Sequence, residues 1–78
     1  MIIKVLGTGC ANCKTLEGNT RKAVEEFGIG AEVVKVDDIT KLIEYNIIRP
    51  PALVIDEKVV SSGKVLTVDE IRKIIESI

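Results

Sequence analysis

Apolar residues recur along this chain in two rhythms, and the switches between them mark out its elements. Ile2-Ile3-Lys4-Val5-Leu6 is a short β-rich run closed by Gly7, the pattern of a buried central strand. From Cys13 to Phe27, the positions Cys13, Leu16, Thr20, Ala23, Val24 and Phe27 return at helical spacing. Lys14, Glu17, Arg21, Lys22, Glu25 and Glu26 take the other side, so an amphipathic helix is expected. Gly18 sits in its middle and costs about 1 kcal/mol relative to alanine, with no evident compensation. Gly28 follows the last turn as a left-handed cap. Ala31 to Val36 reads as a partly exposed strand. Asp37-Asp38 then offers an N-cap to a short helix through Tyr45, with Ile39, Leu42 and Ile43 as its buried side and Asn46 closing it.

In the second half, Arg49-Pro50-Pro51 opens onto the apolar run Ala52-Leu53-Val54-Ile55. Proline has no N–H to give a ladder, so the prolines mark the entrance of a strand. Asp56-Glu57-Lys58 should turn the chain into Val59-Val60-Ser61 as a hairpin, without the usual Asn-Gly signal. Thr67 and Glu70 form a capping box for a helix whose apolar stripe is Val68, Ile71, Ile74, Ile75 and Ile78. The order is βαβαββα. Its first crossover implies two parallel strands with a helix packed across them right-handedly. No repeat, linker or low-complexity segment interrupts it, so residues 1–78 are expected to form a single domain, and the clean start and finish argue against a fragment.

Composition narrows the function. At 46% hydrophobic and 29% charged residues, the chain is a folded domain and not a disordered segment. The 11 basic and 12 acidic residues are mixed along it, so no basic stripe meets nucleic acid. Phe27 and Tyr45 are the only aromatic residues, which removes a base-stacking surface as well. Apolar runs of only a few residues exclude a membrane span, and the opening lacks a secretory core. The expected location is cytoplasmic, where a dithiol stays largely reduced.

The chemistry is concentrated in Gly7-Thr8-Gly9-Cys10-Ala11-Asn12-Cys13, which holds both cysteines of a chain with no histidine. A helix start favours negative charge through its unpaired N–H groups and dipole, and so stabilises a thiolate. A second cysteine three residues on lies one turn along the same face, close enough to close a disulfide. Inert cysteines are the bland account, but low-pKa thiols are what a helix terminus promotes. Lys4 has two readings: a side chain snorkelling at the sheet end, or an ammonium beneath the site that tunes a cysteine.

The element order, the CxxC after the first strand and the proline before the third strand resemble the minimal thioredoxin or glutaredoxin fold. That fold is α/β, a four-stranded mixed sheet with three helices. More closely, GTGCANC, PALVID and the Gly63 loop resemble small thioredoxin-like redox-active disulfide proteins of archaea and bacteria. The resemblance covers essentially the whole chain. It implies a protein disulfide oxidoreductase in electron transport, needing no cofactor, with Cys10 as attacking and Cys13 as resolving thiol. It makes Pro51 a cis-proline facing the disulfide, with Pro50 before it, where backbone would contact a substrate strand. Thr8 and Gly63, with Ser62, are read as lining the same groove. Implied partners are disulfide-containing proteins and a reductase, the chain itself acting as a monomer. Two departures stand out: Gly9 replaces the tryptophan that thioredoxins carry before CxxC, and the Thr-Val-Pro and Gly-Gly features that hold glutathione are missing.

The rival is a soft-metal carrier, because Gly-x-x-Cys-x-x-Cys also opens heavy-metal-associated domains and two thiolates suit Cu(I). Those domains run βαββαβ and finish on a strand. This chain is expected to finish on a capped helix, which favours the redox reading. No metal ligand is therefore assigned, and a closed zinc site would lack its remaining ligands.

Overall fold

The computed structural model describes residues 1–77. Its elements are β1 (Ile2–Leu6), α1 (Ala11–Glu26), β2 (Glu32–Val36), α2 (Ile39–Glu44), β3 (Ala52–Ile55), β4 (Lys58–Ser62) and α3 (Val68–Glu76). The sheet order is β2-β1-β3-β4, with β1 parallel to β2 and antiparallel to β3, and β3 antiparallel to β4. This is the expected βαβαββα arrangement.

Alternation along the two central strands sorts the core into two faces. Ile3 and Val5 of β1 and Leu53 and Ile55 of β3 pack with Leu16, Ala23, Leu66 and Ile71 on the side covered by α1 and α3. Leu6, Ala52 and Val54 face the other way, against Leu42 and Ile47 under α2. Because both its faces are covered, β3 is buried at every position, and it reads as an unbroken apolar run. The capping box of α3 forms in both directions, Thr67 Oγ1 accepting the Glu70 N–H and Glu70 accepting the Thr67 N–H. Ile78, the last of its expected stripe, lies outside the described residues.

Three expectations need correction. Ile39 and Ile43 are 65% and 68% exposed, so Leu42 alone of the three expected positions is buried in α2. A helix of 6 residues lying on a sheet has room to bury little more than one row, and Ile47, just beyond it, supplies the second anchor. Phe27, expected on the buried side of α1, is 43% exposed, with the Arg72 guanidinium 5.3 Å from its ring centre. The hairpin is tighter than expected: Asp56 and Glu57 form a two-residue turn, both at positive φ (48° and 68°), and β4 starts at Lys58.

Lys4 is neither free nor aimed at a thiol. Its ammonium donates to Glu57 at 2.6 Å and to the Tyr45 hydroxyl at 3.1 Å, and Tyr45 in turn donates to Glu57. The hydrogen bond from Lys4, seconded by that from Tyr45, holds the Glu57 carboxyl below the usual glutamate range, and Glu57 raises Lys4 in return. These contacts tie the end of α2 to the β3–β4 turn. That turn is at the opposite end of the sheet from the cysteine loop, since Asp56 accepts the Ile2 N–H at 2.9 Å while the cysteines follow Leu6.

Candidate active site

The site is assembled at the end of the sheet where β1 and β2 finish. Cys10 is the N-cap of α1, in extended conformation, and its Sγ accepts the Cys13 N–H at 3.1 Å. It thus takes one of the orphan donors that every helix start exposes, and the helix terminus favours negative charge on that sulfur. Cys10 is exposed, whereas Cys13, one turn into the helix, is 4% exposed. The two are joined as a disulfide with their Cα atoms 5.0 Å apart. Accessibility therefore differs sharply between the two cysteines of one bond.

Gly7 heads the expected cysteine stretch but had no role of its own there. It is buried, donates its N–H to Val36 at 2.9 Å, and lies directly against Cys13. A Cβ at position 7 would stand 2.8 Å from the Cβ of Cys13 and collide with its sulfur, so only glycine leaves room for the buried thiol. A glycine closing a strand shortly before CxxC was the available signal.

The prolines come to the same end of the sheet. The β1–β3 register pairs Leu6 with Ala52, so Gly7 and Pro51 leave the sheet next to one another. The Pro50–Pro51 bond is cis, with Pro51 buried and Pro50 exposed. The Gly63 N–H donates to the Pro51 carbonyl at 2.8 Å, which fastens the loop after β4 to this turn. Gly63 adopts φ +70°, and a Cβ there would come within 3.2 Å of the Arg49 Cβ. Thr8 is exposed in the loop between β1 and α1, on the way to Cys10. Thr8, Cys10, Pro50, Pro51 and Gly63 are thus carried by the loops at one end of the sheet, with Cys13 in the first turn of α1.

An exposed sulfur capping a helix and bridged to a buried one, with a cis-proline turn alongside, is equipped for dithiol–disulfide exchange. The chain matches the thioredoxin domain family over residues 1–76. It belongs to that family. A thioredoxin of Methanothermobacter thermautotrophicus is 41% identical over 75 residues, spanning 96% of this chain and 97% of its own. One of Methanocaldococcus jannaschii is 39% identical over 77 residues, spanning 99% and 88%. A solved structure titled "Structure of a malarial protein" superposes with a TM-score of 0.75 over 97% of this chain and 93% of its own, and at 13% identity it speaks for the fold alone. This member of the thioredoxin domain family is a thiol–disulfide oxidoreductase carrying a redox-active Cys10–Cys13 pair. Nothing favours the soft-metal alternative, since the elements run βαβαββα where the metal domains run βαββαβ. No helix of the described residues is long and apolar enough to cross a membrane.

Proposed function

We propose that Cys10 is the attacking and Cys13 the resolving thiol of a monomeric cytoplasmic protein-disulfide reductase formed by residues 1–78 as one domain. The observation that carries this reading is the unequal exposure of the two cysteines on a helix start, the sulfur of the outer one receiving the Cys13 N–H. In the reduced protein, the Cys10 thiolate attacks one sulfur of a substrate disulfide. A mixed disulfide forms, and the substrate's other sulfur leaves as a thiolate. Cys13, deprotonated, then attacks Cys10 Sγ, closing Cys10–Cys13 and releasing the second substrate thiolate. Two electrons pass to the substrate and two protons from solvent complete its thiols.

A dithiol reductase returns the electrons and closes the cycle. Pro50, Pro51, Thr8 and Gly63 line the groove in which the substrate strand lies beside the sulfurs. The experiment is insulin reduction by cysteine variants. Cys10→Ser should abolish turnover, and Cys13→Ser should accumulate a covalent adduct with the substrate that a reductant releases. Full turnover by Cys10→Ser would refute the assignment.

A further inference from the structure

The mouth of the dithiol site is electrically lopsided. In the order β2-β1-β3, the cysteine loop rises from the central strand of the three. On the β2 side the chain continues from Val36, which accepts the Gly7 N–H, into Asp37 and Asp38. On the β3 side stands Arg49, directly before Pro50 and Pro51. Acid and base therefore follow the strands on either side of the cysteine loop, Asp38 also capping α2 by accepting the Thr40 N–H.

Arg49 is also unlike the other two arginines. Arg21 pairs with Glu17 and Arg72 with Glu76, each on its own helix, whereas Arg49 makes neither an ion pair nor a side-chain hydrogen bond among the described residues. Its stem is nevertheless located. A Cβ on Gly63 would lie 3.2 Å from the Arg49 Cβ and 3.8 Å from its Cδ, so the stem crosses the bare backbone of Gly63. The adjoining Gly63 N–H is bonded to the Pro51 carbonyl, and a residue before proline has little freedom of its own. An exposed guanidinium thus stands on an ordered root beside the cis bond.

The backbone at the two prolines offers no donor of its own. Pro50 and Pro51 have no N–H, and the Pro51 carbonyl is already accepting from Gly63. At the two prolines the turn can accept a hydrogen bond from a substrate strand through Pro50 but can donate none. The nearby donor suited to an acidic group is the guanidinium fork, whose geometry matches a carboxylate.

We propose that Arg49 is a specificity-determining residue that selects polypeptide disulfides with an aspartate or glutamate beside the reacting cysteine. The assignment rests on the dithiol reading of Cys10 and Cys13. Its test is the rate at which the reduced protein reduces three oxidised peptides that differ only in the residue beside the reactive cysteine, Glu, Ser or Lys. The parent protein should prefer Glu over Lys roughly three- to ten-fold, as expected for a charge at an exposed rim, and the preference should fade at high salt. Arg49→Gln should bring the ratio to about one and Arg49→Lys should retain part of it. Lys14→Gln, which removes an equal charge beside Cys13, should leave it standing. A parent ratio near one with all three peptides reduced, or a preference that survives in Arg49→Gln, overturns Arg49 alone. Failure to reduce even the Ser peptide removes the dithiol reading, and this assignment with it.

Discussion

Gly7 and Cys13 are packed so closely that the hydrogen of one is all that separates the strand end from the buried sulfur of the other. An added methyl has backbone behind it and the disulfide before it, so Gly7→Ala must displace Cys13 or the first turn of α1. Overpacking of this kind costs about 1–3 kcal/mol. We expect the melting temperature to fall by about 4 °C or more, with insulin reduction slowed in parallel. An unchanged melting curve and rate would show that the strand end yields freely.

The exposure difference between the cysteines predicts their order of modification. In the reduced protein, iodoacetamide should alkylate Cys10 at least ten times faster than Cys13, since the thiolate must be reached to react. Peptide mass mapping of briefly treated protein reads the ratio directly. Equal labelling would mean that Cys13, 4% exposed with the disulfide closed, becomes accessible on reduction.

The Lys4–Tyr45–Glu57 network predicts a pH signature. Glu57 is held below the usual carboxylate range chiefly by the Lys4 hydrogen bond, and Glu70 likewise by Lys64. A depressed carboxyl means that the native state binds fewer protons than the unfolded one, so its contribution is complete at neutral pH. It is lost as pH falls below about 4. Lys4 works in the opposite sense, contributing below its ordinary value and failing as alkali removes its proton. Glu57→Gln should therefore melt below the parent at pH 7, and the gap should close as pH falls through and below the usual carboxylate range. Glu57 is solvent-exposed and Lys4 is half-buried at the sheet end, so the gap should be small and salt-sensitive. A gap of constant size across that range would deny the network any role.

Gly18 predicts a gain. It is exposed in the interior of α1, and a Cβ there meets nothing within 4 Å. Nothing in the structure explains the glycine. Gly18→Ala should stabilise the fold by about 1 kcal/mol, a rise of about 4–8 °C in melting temperature for a chain of this size, with disulfide reduction unaltered. A fall would point to a need for flexibility that the static helix conceals.

Local signals made much of this legible. The spacing of Leu16, Thr20 and Ala23, the Thr67–Glu70 box and the unbroken run of β3 each report a physical cause acting within a few residues. So does CxxC at a helix start. What escaped is nonlocal. Ile39 and Ile43 look like the buried side of a helix until α2 proves too short to cover them. The partners of Lys4 are 41 and 53 residues away, and no periodicity announces them. Gly7 owes its importance to a sulfur on a different element, and the turn at Asp56-Glu57 puts a glutamate at positive φ where glycine is usual.

The N-cap role of Cys10 bears on speed. An amide already pointing at that sulfur in the oxidised protein is equally placed to meet the charge that reduction leaves there. Loading and unloading electrons then asks little movement of the main chain. The pace of exchange passes to how quickly a partner can line up its own sulfur, and the loop beside the prolines becomes the part of the molecule that natural variation would most readily retune.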